Sequence, residues 1–401
     1  MDALTTPLPK AWQRVRLGDI AEIKRGASPR PIENPKWFCT NSNVGWVRIS
    51  DISKNSRFLY KTAQKLSKKG IEKSRFVKQN SLIMSMCATI GKPIITKIDT
   101  CIHDGFVVFE NPEIDLNYLY YFLCYIEKEW LESGQQGSQV NLNVDLIKNK
   151  EVFCPKDLNE QIAIANVLSD VDRYLYSLDA LILKKESVKK ALSFELLSQR
   201  KRLKGFNQAW QKVRLGDICE IGNGGAYETL IVENGNFKLI SLNSIDIDGN
   251  LKNTMKRVNF YDNSLKQDDI VMVLSDVAHG DFLGLCAVIP NNDYVLNQRM
   301  GRLRKKNDCI NILFLRLYIN ANQKYFKMQG QGSSQLNLSK KAIEDFEILL
   351  PPLNEQIAIA NILSGLDNEI ISLKNKKRQF ENIKKALNHD LMSAKIRVLN
   401  K

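Results

Sequence analysis

The chain has 401 residues, enough for two domains of ordinary size and their connections. Its hydrophobic fraction of 44% and charged fraction of 25% are typical of a folded globular protein, which argues against a disordered chain. The formal net charge of +14 favours a polyanionic partner. Nucleic acid is favoured over a membrane, because the sequence has no basic amphipathic anchor and no apolar run of about 18 residues.

The N-terminal segment, residues 1–13, has neither a charged start nor an apolar core. The sequence therefore predicts no signal peptide and a cytoplasmic location. Eight cysteines are scattered singly along the chain, without a C-x-x-C pair. This spacing predicts neither a zinc site nor a disulfide framework, and we expect the cysteines to be reduced core residues.

The first predicted element is a start segment, AWQRVRLGDIAEI, at residues 11–23. It returns as AWQKVRLGDICEI at residues 209–221, where only two positions differ. A self-similarity of this length indicates an internal duplication. The stretches that follow the two copies, residues 24–53 and 222–249, do not resemble each other.

The dissimilar middles still show the same kinds of pattern. Short β-type runs such as NSLIMSMCATI and DIVMVLS lie between Gly and Asn turns, which predicts strands. Apolar stretches such as DLNYLYYFLCYI and INILFLRLYIN predict helices. Each middle is therefore predicted to be a compact α+β domain.

A second repeat follows the middles, at residues 158–192 and 353–387, and both copies open with LNEQIAIAN. Apolar residues then recur at alternating spacings of four and three, which predicts a long helix with a coiled-coil seam. Beyond Lys185 the apolar series shifts to Val188, and in the second copy to Ile383, so we expect a stutter there. Each helix needs a partner for its apolar stripe, and chain order favours antiparallel packing of the two copies about a pseudo-two-fold axis.

The predicted fold class is α+β, with two globular domains separated by two long antiparallel coiled-coil helices. The predicted boundaries are 1–157 for the first domain, 158–204 for the first helix, 205–352 for the second domain and 353–401 for the second helix.

The order of these duplicated motifs resembles the specificity subunit of type I restriction-modification systems, over nearly the whole chain. The motifs that carry the resemblance are VRLGDI at 15–20 and 213–218, Q-x-N-L at 139–142 and 335–338, and the helix openings that end at Gln161 and Gln356. The first opening departs slightly, because it has one more residue between its proline and Leu158 than the family pattern.

The resemblance implies two target-recognition domains, each of which reads one half of a bipartite target in double-stranded DNA. The helices would set the spacer and dock two methyltransferase subunits, and restriction subunits would complete the complex. This chain would be non-catalytic and bind no cofactor, whereas its partners would use S-adenosylmethionine, ATP and magnesium. The alternative is a two-domain coiled-coil scaffold that binds proteins rather than DNA, and salt-dependent DNA binding separates the two.

Motifs for catalysis are missing from the sequence. The nearest match to a methyltransferase N-P-P-Y motif, residues 34–37, lacks the second proline. Residues 90–93 do not form a phosphate loop, because Pro93 replaces the Ser or Thr that would hold magnesium. A nuclease-like Lys24 is Gly222 in the second copy. Structural or surface roles are favoured for the three separated histidines, His103, His279 and His389.

Candidate DNA-binding residues lie in the dissimilar middles, where two different sequences would be read. They are Ser28, Arg30, Lys36, Arg48 and Lys92 in the first domain, and Asn223, Tyr227, Asn243, Ser244, Gln298 and Arg299 in the second. Arginine can donate two hydrogen bonds to guanine, and Asn or Gln can bond adenine in the same way. Other roles stay open, such as phosphate contact for Arg30, a strand-surface charge for Arg48 and a turn for Asn223.

Two further features have more than one interpretation. The segments at 137–147 and 333–343 occur in both halves, so they cannot carry different specificities, and they either contact phosphate or brace each domain on its helix. The basic residues of the long helices form either a solvated face or a DNA-binding face. These residues are Lys184, Lys185, Lys189, Lys190, Lys374, Lys376, Lys377 and Arg378.

Overall fold

The structure is a computed structural model that describes residues 9–54, 57–133, 142–277 and 280–398. The chain divides into two units, which we call the first unit, Met1–Asp179 with Lys376–Lys401, and the second unit, Ala180–Asn375. Both divisions fall inside long helices.

The first unit is an α+β domain with part of each long helix. Its strands are β1 (Trp12–Arg16), β2 (Glu22–Arg25), β3 (Gly45–Val47), β4 (Phe58–Leu59), β5 (Gln64–Lys65), β6 (Arg75–Val77), β7 (Leu82–Ser85), β8 (Pro93–Thr96), β9 (Thr100–Ile102), β10 (Phe106–Glu110) and β11 (Glu151–Pro155). Its helices are α1 (Leu17–Ile20), α2 (Ile49–Ser53), α3 (Lys68–Glu72), α4 (Leu116–Tyr125), α5 (Glu127–Ser133), α6 (Val144–Asn149) and the start of α7 (Leu158–Leu197).

Two larger sheets and one two-stranded pair build the described part of this domain. One larger sheet has the strand order β2-β10-β7-β8-β4, and the other has the order β5-β3-β9-β6, in which β3 and β9 run parallel. Every residue of β7 and β8 is buried, in agreement with their mostly apolar sequences LIMS and PIIT. Helix α4 begins at an Asp115 cap, whose carboxylate accepts a hydrogen bond from the Tyr118 backbone N–H at 2.8 Å. The antiparallel pair β1 and β11 joins the first and last strands of the domain.

The second unit repeats this plan. Its strands are β12 (Gln211–Arg214), β13 (Cys219–Asn223), β14 (Phe237–Ile240), β15 (Arg257–Val258), β16 (Ile270–Val273), β17 (Ser275–Val277), β18 (Cys286–Val288), β19 (Tyr294–Leu296), β20 (Met300–Lys305), β21 (Gln335–Asn337) and β22 (Glu347–Leu350). Its helices are α8 (Leu215–Ile218), α9 (Ile312–Ala321), α10 (Gln323–Gln329), α11 (Lys340–Glu344) and the start of α12 (Leu353–Met392).

The strand order shows that the dissimilar middles share one topology. The order β13-β20-β16-β18 matches β2-β10-β7-β8, and the parallel pair β14 and β19 matches β3 and β9. The outer pair β12 and β22 likewise matches β1 and β11. The two domains therefore share one fold through their middle segments as well, although the sequences of these segments do not reveal it.

The long helices keep an unbroken heptad seam, so the predicted stutter is wrong. Val188 and Ile383, the expected seam residues after a stutter, are 40% and 49% exposed. The less exposed positions instead continue the spacing of four and three without interruption. They are 164, 168, 171, 175, 178, 182, 185, 189, 192 and 196 in α7, and 359, 363, 366, 370, 373, 377, 380, 384, 387 and 391 in α12.

Lysines occupy some of these seam positions, and each pairs with an acidic residue of the other helix in the same unit. The pairs are Lys185 with Glu369, Lys189 with Asp367, Lys377 with Asp179, and Lys384 with Asp172. In these pairs, the residue numbers in α12 fall as the residue numbers in α7 rise. The helix parts within each unit therefore run antiparallel, as predicted. Half of the predicted basic helix face is thus bound between the helices, because Lys374 also pairs with Glu186.

The repeated Glu-Gln pair that opens each helix ties the helix to its domain. The Gln161 side chain donates to the Pro155 carbonyl at 2.9 Å and accepts from the Asp115 N–H at 2.8 Å. Gln356 makes the equivalent bonds, to the Pro351 carbonyl and from the Asn311 N–H, each at 2.8 Å. The repeated motif is therefore a structural anchor.

The glutamates of the same pairs each form a Trp–Glu–Arg cluster. In the first unit, Glu160 accepts from the Trp12 indole at 3.4 Å and from the Arg397 guanidinium at 2.9 Å. In the second unit, Glu355 accepts from the Trp210 indole at 3.0 Å and from the Arg202 guanidinium at 2.6 Å. Arg397 follows the end of α12, and Arg202 follows the end of α7. Each cluster therefore connects the start of a domain, the start of one long helix and the segment that follows the other long helix.

Candidate nucleic-acid interface

In each domain, two loops run side by side at one edge of the larger sheet. We define the first loop pair as loop A1, residues 26–30, with loop B1, residues 103–105. The second loop pair is loop A2, residues 224–228, with loop B2, residues 297–299. Loops A1 and A2 follow β2 and β13, and loops B1 and B2 precede β10 and β20. The two loop pairs therefore occupy equivalent places in the two domains.

Backbone hydrogen bonds hold each pair together. The Ala27 N–H donates to the Ile102 carbonyl at 3.0 Å, and the Gly225 N–H donates to the Leu296 carbonyl, also at 3.0 Å. Glycine is needed at the start of each A loop, since a Cβ on Gly26 or Gly224 would lie about 2 Å from a carbonyl oxygen of the facing segment. The shared sheet therefore fixes where the A and B loops lie.

Three side chains of the first domain converge on Asp104. The Ser28 hydroxyl donates to one carboxylate oxygen at 2.7 Å, and the Arg30 guanidinium lies 3.0 Å from the other. Arg25 donates to the Asp104 carbonyl at 2.8 Å. The Ser28 hydrogen bond is the main cause of the lowered pKa of the Asp104 carboxyl, and a backbone hydrogen bond and the charge of Arg30 act in the same direction. The structure thus brings the predicted residues Ser28 and Arg30 together around an aspartate that sequence reasoning missed.

His103 stabilises the loop that carries Asp104. Its Nδ1 accepts a hydrogen bond from the Gly105 N–H at 2.9 Å, and its ring lies 4.6 Å from the ring of Phe106 and 5.9 Å from that of Trp46. Burial lowers the pKa of His103 to about 4, so the ring is neutral near pH 7. This agrees with the structural role expected for it, whereas His279 lies outside the described residues.

The remaining first-domain candidates lie on other segments. Arg48 lies between β3 and α2, and it is near the first loop pair because its neighbour Val47 pairs with Ile102, the residue before loop B1. The Lys36 ammonium lies 4.3 Å from the centre of the Trp37 ring, in a separate 3₁₀ turn at Pro35–Trp37. Lys92 precedes β8, and its carbonyl accepts from the Ser85 N–H at 3.1 Å.

The second loop pair borders a cavity of about 250 Å³. The polar residues that line it are Glu228, Ser241, Asn243, Lys256, Asn297 and Arg299. Asn297 donates to the Glu228 carboxylate at 3.0 Å, and this bond is the main cause of the lowered pKa of Glu228. The structure therefore brings the predicted residues Asn243 and Arg299 to one cavity, with Glu228 and Asn297 as residues that sequence reasoning missed.

Three other predicted residues of the second domain lie on its loop pair or directly next to it. Asn223 is exposed at the end of β13, and Gln298 is exposed in loop B2. The Tyr227 hydroxyl donates to Asp262 at 2.8 Å, and its ring lies 4.7 Å from that of Phe260.

Ser244 points inward. It is only 2% exposed, its hydroxyl accepts from the Ser241 N–H at 2.9 Å, and it donates to the Leu239 carbonyl at 3.3 Å. These bonds close a 3₁₀ turn, so the Ser244 hydroxyl is not presented to a base in this structure.

The segments that occur in both halves are bound to their own domain where they are described. Leu142 is buried and its N–H donates to the Met86 carbonyl at 3.0 Å, and Leu338 is bound in the same way to the Leu274 carbonyl at 2.8 Å. Strand β21 pairs with β17 in the second domain. Gln139 lies outside the described residues.

Two negative findings concern the described part of the chain. No helix there is long and apolar enough to cross a membrane. No group of three or more His, Cys, Asp or Glu side chains there could hold a metal ion.

Comparison with known proteins identifies the class of protein that this fold represents. The model of the family "Type I restriction modification DNA specificity domain" matches residues 9–185 and again residues 207–382. The chain is 27% identical to the type I restriction enzyme MjaVIII specificity subunit of Methanocaldococcus jannaschii, over 98% of this chain and 95% of that protein.

Solved structures show the same fold. The crystal structure of the S subunit of a type I restriction-modification system from M. genitalium matches with a TM-score of 0.64 and 16% identity, covering 97% of this chain and 98% of that chain. A chain from a study of complex assembly and conformational transition of the type I system matches with a TM-score of 0.59 and 15% identity, covering 96% of this chain and 99% of that chain.

The chain belongs to the type I restriction-modification DNA specificity family. It is a DNA specificity subunit with two target-recognition domains, and it is itself the non-catalytic part of such a system. The fold class, the family and the function predicted from the sequence are thereby confirmed, and the protein-binding scaffold is set aside.

Proposed function

We propose that each target-recognition domain reads one half of a bipartite double-stranded DNA target with its loop pair. The proposal is supported by the equal strand order of the two domains, which places unlike loops in equivalent positions. The main support comes from Arg30 and Glu228. Each lies the same number of residues after the glycine that starts its A loop, Gly26 or Gly224. Two domains that share one fold but carry opposite charges at an equivalent loop position would contact different bases.

The proposed DNA-binding residues differ in role. Exposed or partly exposed side chains on or near the loop pairs are proposed to contact base edges: Ser28, Arg30, Arg48, Asn223, Tyr227, Asn243, Gln298 and Arg299. Lys36 and Lys92 lie on other turns, and we assign them to phosphate, which carries no sequence information directly. Ser244 is left out of the proposed set because its hydroxyl is buried.

The long helices are proposed to set the gap between the half-sites and to dock two methyltransferase subunits. Support comes from exposed apolar side chains on α7, such as Leu183 at 64% and Phe194 at 55%, which a partner protein would cover. The partners would use S-adenosylmethionine, and restriction subunits would use ATP and magnesium, in the cytoplasm. The domain boundaries at 157/158, 204/205 and 352/353 are part of this proposal.

An exchange of reading segments tests the two-reader model. Residues 222–330 are replaced by the equivalent segment of another family member, and the hybrid is expressed with its methyltransferase partners. Sequencing of methylated bases in the host DNA should show one changed half-site and one unchanged half-site. A change in both halves, or in neither, would contradict the model. The purified chain without partners is the control and should neither methylate nor cut DNA.

A further inference from the structure

Both loop pairs carry one arginine and one carboxylate, but in opposite order. In the first domain, Arg30 lies on loop A1 and Asp104 on loop B1. In the second domain, Glu228 lies on loop A2 and Arg299 on loop B2, and both line the same cavity. An acidic side chain at these places is unexpected on a DNA-binding surface, because it repels phosphate. Its presence suggests that it contacts a base.

The Asp104 carboxylate is held rigidly. Loop A1 fixes it through the Ser28 hydroxyl at 2.7 Å, and the packed ring of His103 fixes the turn that carries it through the Gly105 N–H. Arg30 is 71% exposed and lies 3.0 Å from the second carboxylate oxygen. An exposed guanidinium therefore rests against a fixed acceptor at the outer edge of the loop pair.

This pair of groups matches one base pair in the major groove. Guanine presents two acceptors there, N7 and O6, and its cytosine partner presents the N4 amino donor. A guanidinium supplies the two donors, and an adjacent carboxylate supplies the acceptor. An ionised carboxylate has about four lone-pair sites, so Asp104 can accept from cytosine while it keeps its bonds to Ser28 and Arg30. Thymine at the cytosine position would instead turn its O4 acceptor towards the carboxylate.

We propose that Arg30 and Asp104 together read one G·C pair in the first half-site, with Arg30 on guanine and Asp104 on the cytosine N4 amino group. Asp104 is then the specificity-determining residue that rejects other base pairs at that position. The proposal rests on the proposed function, because it assumes that the first loop pair enters the major groove of the target.

The test compares the wild-type chain with Asp104→Asn and with a matched control, Asp19→Asn. Asp19 is an exposed residue of α1 in the same domain, so the control removes the same charge away from the loop pair. Each chain is expressed with its methyltransferase subunits, and the methylated sites are sequenced. Because an amide both donates and accepts, Asp104→Asn should tolerate thymine at the cytosine position. Discrimination at that one position should fall by about tenfold, within the range for a specific base contact.

The second half-site and the gap should not change in Asp104→Asn, and Asp19→Asn should keep the wild-type motif. An unchanged motif in Asp104→Asn, or a wild-type first half-site without a G·C pair, overturns the inference. If Asp104→Asn abolishes methylation, the assembled complex is tested for binding to duplexes that carry each base pair in turn. Preference lost at the G·C position alone then supports the inference, and wild-type preference overturns it. A wild-type chain without any split motif would instead overturn the proposed function.

Discussion

His103 illustrates how a largely buried side chain positions a loop. Its ring is enclosed by Trp46 and Phe106, and its Nδ1 takes a hydrogen bond from the backbone of loop B1. That bond requires the neutral ring, because a protonated imidazole has no acceptor nitrogen. The shape of the loop that carries Asp104 therefore depends on His103 remaining uncharged.

The stability of the first unit should depend on pH through this residue. The pKa of His103 is about 4 in the folded chain and near 6.5 when exposed, so the unfolded state binds the proton first as the pH falls. The contribution of neutral His103 to the free energy of unfolding is complete above pH 6.5 and is lost towards pH 4. It amounts to at most about 3 kcal/mol. Calorimetric unfolding of the wild-type chain should lose stability across this window faster than that of His103→Asn. Parallel curves for the two proteins would refute the assignment.

Sequence reasoning found some members of the first loop pair and missed others for a physical reason. Arg30 was recognisable because a basic residue in a stiff loop after a strand has few structural roles. Asp104 lies 74 positions away, and only the pairing of β2 with β10 brings it to Arg30. Ser244 shows the converse limit, because the residue type does not reveal that a turn encloses its hydroxyl.

At the scale of elements, the long helices were predicted well except in their middle. The apolar pattern alone breaks near Lys185, which suggested a stutter. The structure retains the heptad spacing because lysine stems can pack along a seam while their ammonium groups reach acidic partners, as Lys189 does with Asp367. A pattern of apolar residues cannot show a seam position that is filled by an ion pair.

The two Trp–Glu–Arg clusters link polar groups at the helix ends, and they differ in solvation. Glu355 is fully buried and its partner Arg202 is 23% exposed, whereas Arg397 beside Glu160 is 44% exposed. A buried carboxylate that loses its arginine keeps its desolvation penalty without a compensating charge. Solvent reaches the first cluster more easily and should reduce that penalty.

We therefore expect Arg202→Ala to lower the melting temperature of the second unit by roughly 5 °C or more. Arg397→Ala should lower that of the first unit by a smaller amount. Differential scanning calorimetry of the full chain measures both effects. Arg200→Ala is the control, because Arg200 lies next to the same segment and packs on the exposed ring of Phe194. Equal effects of Arg202→Ala and Arg200→Ala would show that the cluster does not stabilise the unit.

At the scale of the whole molecule, the sequence revealed the duplication only in the segments that begin and end each domain. The start segments and helix openings kept their sequences because they form the outer strand pairs and the anchoring bonds of Gln161 and Gln356. The middles kept only their strand order, which many apolar sequences can satisfy. Their polar loops were free to differ, so the parts that the sequence could not align are those proposed to read DNA.

The proposed spacer role of the helices can be tested by lengthening both. One heptad is inserted after Leu178 and one after Lys377, because the ion pair between Lys377 and Asp179 shows that these positions face each other. Seven residues preserve the seam and add roughly 10 Å at about 1.5 Å per residue. Since DNA rises about 3.4 Å per base pair, the gap between unchanged half-sites should grow by roughly three base pairs.

Rotation of the DNA decides how this experiment is judged. Three extra base pairs also turn the far half-site by roughly a quarter of the helical repeat of about 10 base pairs. The lengthened complex should therefore either methylate sites with the longer gap or assemble with little methylation, and sequencing of methylated DNA together with a binding assay separates the two. Inserting the same heptads with their seam residues changed to serine is the control for folding. Full methylation at the original gap by a chain with folded, lengthened helices would show that the helices do not set the spacing.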